Sequence, residues 1–136
     1  MKKLYFILLI FALALSLCAC GGKANDVTID YGESTSYTHD DIDGAAKVVL
    51  DKFSEFDGCI LNSLTYAGDK KSNDNIEYCN TLDEDSDFTE CIVFDSSFRS
   101  PKNGGGAWEA DEIYTWSWYL AREANGEWVL LTYGYA

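Results

Sequence analysis

The chain has 136 residues and sets 23 acidic side chains against 10 basic ones, a formal net charge of −13. That balance excludes nucleic acid as a partner, because phosphates would be repelled rather than neutralised. With one histidine and no C-x-x-C spacing, no metal centre and no cofactor site is expected.

The first residues, MKKLYFILLIFALALSLCACGG, put Lys2 and Lys3 ahead of an uncharged, mostly apolar run from Leu4 to Leu17. This is the pattern of an export signal, and the run is shorter than the roughly 20 residues a helix needs to cross a bilayer. Leu17-Cys18-Ala19-Cys20 resembles the bacterial lipobox, in which the signal is cut before a cysteine that receives a diacylglycerol. The resemblance implies Cys20 as the lipid attachment site, since Ala19 is the small residue wanted before the cut, whereas Cys18 would follow the bulky Leu17. The expected organisation is a signal over 1–19, the lipidated cysteine and a flexible tether over 20–36, and a single domain over 37–136. The protein is then held at the extracytoplasmic face of the cell membrane by its lipid, each buried methylene adding about 0.8 kcal/mol.

Residues 21–36 are small and polar, with room for a short strand over 27–31. The first firm element starts at Thr38, whose hydroxyl and the Asp41 carboxylate three residues on form a variant capping box, with Tyr37 and Ile42 placed for a hydrophobic staple. Ile42, Ala45, Ala46, Val49, Phe53 and Phe56 recur at helical spacing, and Gly58 is a natural stop. Residues 59–66 read as a strand, 67–75 as a loop, and Ile76, Cys79 and Leu82 as the inner face of a short helix. Residues 88–98 alternate with apolar side chains on both faces, the mark of a strand interior to a sheet. Residues 99–107 hold the only proline and three consecutive glycines, so a turn-rich or mobile connection is expected there.

Residues 112–123 and 127–135 form the best hairpin, joined at Asn125-Gly126, which tolerates the positive φ angles of a tight turn. Helix first and antiparallel strands last make the chain α+β. Trp116, Trp118, Gly126, Trp128, Leu130, Leu131, Gly134 and Tyr135 give an ending that resembles the nuclear-transport-factor-two-like (cystatin-like) cone. The whole chain resembles small Gram-positive lipoproteins of unknown function with such a domain. The resemblance implies an N-terminal helix packed on a curved antiparallel sheet. The wider fold includes enzymes with Asp/His pairs in the cone, but His39 falls at a helix start and no aspartate is identifiable as its partner.

Trp116 and Trp118 share one strand face with Tyr114 and Leu120, a natural core, while Tyr119 shares the other. A sugar or peptide stacked on Trp108, Trp116, Trp118 or Tyr119 is the functional alternative to core filling. Trp108 is the better candidate, because it adjoins Gly104–Gly106 in a loop. Asp83-Glu84-Asp85-Ser86-Asp87 starts like a calcium loop, but Phe88 and Phe94 stand where the EF-hand glycine and glutamate belong. Cys59, Cys79 and Cys91 allow three pairings in an oxidising compartment. The expected bridge is Cys79–Cys91, because a helix-to-strand pair meets the geometric demand more easily than two strand neighbours. The function expected is a non-enzymatic module that binds a small molecule, a glycan or a protein at the cell surface. An enzyme using acidic and tyrosine residues of the cone, and a structural or sensory accessory of an envelope protein, are the alternatives.

Overall fold

The computed structural model describes residues 21–24, 27–124 and 126–135. The signal, Cys18, Cys20 and Asn125 of the predicted turn lie outside the described residues. The elements are β1 (Ile29–Asp30), α1 (His39–Phe53), β2 (Ile60–Tyr66), α2 (Asp69–Asp74), α3 (Ile76–Leu82), β3 (Glu90–Arg99), β4 (Ile113–Arg122) and β5 (Val129–Tyr135).

The strands form one sheet in chain order, and the fold is α+β. The sheet is mixed rather than wholly antiparallel: β1 runs parallel to β2, and the other three pairings are antiparallel. The cause is the crossover through α1, which returns the chain in its original direction, as a parallel pair requires.

The predicted capping box starts α1. Asp41 N donates to Thr38 Oγ1 at 3.1 Å, and Thr38 N donates to Asp41 Oδ2 at 3.0 Å. Ile42, Ala45, Ala46, Val49 and Phe53 then bury one helical stripe. They pack in one cluster with Leu64 and Tyr66 of β2, Ile92, Phe94 and Phe98 of β3, and Trp118 and Leu120 of β4. The helix stops at Phe53, short of Phe56, with Ser54 as its cap. Gly58 adopts φ +77° beyond it, a conformation that favours glycine, and a Cβ there would press on the Pro101 ring.

A second cluster lies on the other face of the sheet, where Cys79 of α3 meets Phe88, Cys91, Val93 and Ala121. The central strand β3 is therefore covered on both sides, and Cys91, Ile92, Val93 and Phe94 are all buried. Residues 69–74, expected as loop, are helical instead. Asp69 ties this turn down by accepting from Ser34 Oγ at 2.6 Å, Thr35 N at 2.8 Å and Tyr66 OH at 2.7 Å. Ser34 and Thr35 are distant in sequence, so local propensity alone did not reveal the turn.

Two further segments read as loose are held. Gly22 N donates to Ser54 O at 3.0 Å, Lys23 N donates to Cys59 O at 2.9 Å, and Lys23 O accepts from Leu61 N at 2.9 Å. A Cβ at Gly22 would run into the Phe53 carbonyl oxygen. In the glycine-rich connection, buried Ser100 donates through Oγ to Glu109 O at 2.6 Å and accepts from Glu112 N at 2.8 Å. That pins both ends of the loop.

Candidate functional site

On the sheet face away from α1, directly opposed residues form two short polar rows. Thr65, Asp95 and Ser117 lie side by side across β2, β3 and β4, and Ser63, Ser97 and Thr115 lie side by side one step further along. Opposed residues of antiparallel strands share a face, so these six small side chains crowd one patch. The helices α2 and α3 cover the neighbouring row, where Val93 and Tyr119 are opposed, and stop short of the polar rows. What they leave is an open depression of about 310 Å³, lined by Ser63, Thr65, Lys71, Asp95, Ser97 and Thr115 among others.

Its charges are paired with one another. Lys71 Nζ, reaching over from α2, donates to Asp95 Oδ1 at 2.9 Å and to Ser117 Oγ at 3.3 Å. Ser117 is fully buried and donates its own hydroxyl to Asp95 Oδ1 at 2.7 Å. With Lys71 and Asp95 side chains 36% and 49% exposed, the pair contributes little to stability but presents an ammonium and a carboxylate in one defined geometry. Asp95 Oδ2 accepts no hydrogen bond among the described residues, and neither do the hydroxyls of Ser63, Thr65, Ser97 and Thr115 engage a side-chain partner there. The patch therefore offers four groups that both donate and accept, one free carboxylate oxygen and one ammonium. Ser117 itself is buried beneath the patch, with its hydroxyl bonded to Asp95.

The tryptophans singled out in the sequence lie mainly on the α1 face. Trp118 is completely buried, and its Nε1 donates to Ser96 Oγ at 2.8 Å. It stacks on Tyr133 with ring centroids 4.9 Å apart. Trp116 is partly buried among Phe98, Trp108 and Tyr133, at 5.0, 5.6 and 5.6 Å between centroids. Its Nε1 is buried without a hydrogen-bond partner among the described residues, as is that of Trp128. Trp108, expected on an exposed loop, is half-buried: it folds back onto Phe56 and Tyr114 at 5.7 and 5.2 Å. It still edges a second hollow of about 410 Å³ with Phe56, Pro101 and Gly104–Gly106. Tyr119 is on the opposite face, edge-on to Tyr78 at 5.6 Å. The four residues are thus split between a core, its aromatic rim and the α3 side of the sheet.

Among the described residues the buried polar side chains are the four serines Ser72, Ser96, Ser100 and Ser117. Burial pushes the phenols of Tyr37 and Tyr66 up to about 12, and Tyr37 OH donates to the Cys91 carbonyl at 2.8 Å. His39 is exposed and stacks on Tyr31 at 4.1 Å, with no carboxylate bonded to it among the described residues. Among the described residues no group of three or more His, Cys, Asp or Glu is placed to hold a metal ion, and no helix is long and apolar enough to cross a membrane.

The polar rows could have been found in the sequence. Ser63 and Thr65, Asp95 and Ser97, and Thr115 and Ser117 are each a polar i, i+2 pair inside a predicted strand, the pattern of a face not covered by core. Lys71 could not, because it belongs to a segment read as loop. No protein family, no curated protein and no solved structure matches this chain.

Proposed function

We propose that this chain is a lipid-anchored extracytoplasmic lipoprotein whose domain binds a hydroxyl-rich small molecule, of the carbohydrate class, in the depression beside Lys71 and Asp95. The observation that carries the proposal is the set of four hydroxyls without side-chain partners arranged around a fixed ion pair. A sugar hydroxyl donates and accepts at once, so it is complementary to serine and threonine hydroxyls, to the free Asp95 oxygen and to the Lys71 ammonium together. The anchor rests on the signal and on Ala19-Cys20, and the finer fold, a nuclear-transport-factor-two-like cone, rests on the long helix α1 lying across the antiparallel strands β2–β5. Parallel β1 is an addition to that pattern.

NMR titration of mono- and oligosaccharides into the whole chain, followed on the protein's amide signals, tests the site. Binding is expected in the wild type and is expected to weaken at least tenfold, about 1.4 kcal/mol, in Thr65→Val/Ser97→Ala. Amide shift changes confined to the Trp108 and Gly104–Gly106 hollow would move the site to the aromatic rim, and an unaffected double variant would refute the depression. Membrane fractionation of Cys20→Ser tests the anchor separately: the variant should leave the membrane fraction, and a variant still acylated would move the lipid to Cys18.

A further inference from the structure

The α2–α3 cover is fastened to β3 at three successive positions of one strand face. Lys71 pairs with Asp95 at 2.9 Å, Ser72 Oγ accepts from Val93 N at 3.1 Å, and Cys79 Sγ lies 3.5 Å from Cys91 Sγ. The first two fastenings are hydrogen bonds already complete. The third is a pair of free thiols, both fully buried. Cys59 belongs to the cluster under α1, in which neither Cys79 nor Cys91 takes part. Of the three pairings open to these cysteines, the fold brings only one within reach.

We propose that Cys79 and Cys91 are a covalent modification site, closing into a disulfide that rivets α3 to the central strand and so holds Lys71 at the wall of the ligand depression. Part of the proposal rests on the extracytoplasmic reading above, because that compartment supplies the oxidant, a protein or low-molecular-weight disulfide. The Cys79 thiolate attacks one sulfur of the oxidant and expels the other as a thiolate. The Cys91 thiolate then attacks Cys79 Sγ and expels the second. Two thiols are oxidised, one disulfide is reduced to two thiols, and the two protons released by the cysteines pass to the oxidant's sulfurs. The balance is the same with the two cysteines exchanged. Since both sulfurs are shielded in the folded domain, the oxidant reaches them before α3 docks, and the bridge forms as the exported chain folds.

The lock extends to the ligand site by continuity, since only Asn75 separates α2 from α3. A bridge at Cys79 anchors the far end of the segment whose near end carries Lys71, and opening of residues 69–82 is suppressed along its length.

The test is thiol mapping of the whole chain, unfolded under reduction and refolded with oxidised glutathione. Alkylation under denaturing conditions without reductant should label Cys59 and recover Cys79 and Cys91 in one linked peptide. Reductant should lower Tm by at least about 5 °C. That shift should persist in Cys59→Ser and vanish in Cys79→Ser, and hydrogen exchange over 69–82 should slow in the bridged form. Recovery of Cys59 in a bridge, or alkylation of both Cys79 and Cys91, would overturn the proposal. The same mapping on protein from the membrane fraction of producing cells separates the two readings. A chain reduced in cells that bridges readily in glutathione counts against the extracytoplasmic location and leaves the pairing standing.

Discussion

The Arg122 guanidinium lies over the face of Trp128, 4.4 Å from the ring centroid, while its edge holds two carboxylates from other elements. Arg122 donates to Glu90 on the paired strand, and its Nη2 reaches Asp41 in the first turn of α1 at 3.1 Å. One side chain therefore ties β3, β4, the approach to β5 and the helix cap together. Arg122→Met is expected to cost roughly 2 kcal/mol in chemical denaturation, more than an isolated surface pair, because a desolvated stack and a forked pair are lost at once. Arg122→Lys should recover less than half of that loss, since an ammonium offers no planar fork. Full recovery by lysine would reduce the clamp to a simple charge contact.

Trp118→Ala should cost about 3–5 kcal/mol, the range for a large aromatic removed from a packed core. The side chain is wholly buried and bonded to Ser96, so no partial exposure softens the effect. Thermal and urea melts of Trp118→Ala and Trp108→Ala together measure the contrast. Trp108, half-buried on the rim, is expected to lose less.

Asp69 confers a specific acid sensitivity. Its bond from Ser34, with those from Tyr66 and the backbone, holds the carboxyl well below the ordinary carboxylate range. A folded-state value lowered in this way stabilises the domain fully above the unfolded value, near pH 4, and the stabilisation drains away as pH falls further. Asp41, lowered chiefly by the backbone N–H of Thr38, acts in the same direction. Asp69→Asn should lose roughly 1–2 kcal/mol at neutral pH and show a flatter fall in stability below pH 4. A variant with the wild-type acid slope would assign that slope to other carboxylates.

The polar rows should be separable from stability. Ser63→Ala and Thr115→Val remove exposed or half-exposed hydroxyls without side-chain partners, and each is expected to change unfolding free energy by less than about 0.5 kcal/mol. Ser117→Ala is the contrasting case. It strips a buried hydroxyl from Asp95 and Lys71 and should cost about 1 kcal/mol or more, because the carboxylate loses its only fully buried donor. Equal melts for Ser117→Ala and Thr115→Val would deny Ser117 that role.

Features set by neighbours in sequence were readable from it, and those set by distant partners were not. The Thr38–Asp41 cap, the Ile42-to-Phe53 stripe and the alternation of Trp116, Trp118 and Leu120 each depend on spacings of two to four residues, and each appears where the pattern put it. The helical turn at Asp69 depends on Ser34 and Thr35, 35 and 34 residues away, and the parallel pairing of Ile29 depends on Leu64. The depression was half visible. Its strand hydroxyls show as i, i+2 pairs, but its single cation arrives on that unread turn. The surroundings of Trp108 were half visible for the same reason: the glycines beside it show in the sequence, while the bonds from buried Ser100 to both ends of the loop do not.

The hydrogen bonds of Gly22 and Lys23 also decide how far this protein can reach. With the lipid on Cys20 as proposed, Gly21 alone stands between the acylated residue and backbone already bound to Ser54 and Cys59. A lipoprotein with a long leash can sweep a hemisphere above its membrane, whereas this one would be mounted like a tile, with the C-terminal end of α1 facing down. The depression would then keep a nearly constant height and bearing, and would sample only what diffuses or is built close to the bilayer. Lengthening the leash by a flexible insertion after Cys20 should leave intrinsic sugar affinity unchanged and alter only capture of surface-attached ligand, a difference that solution titration and whole-cell binding would separate.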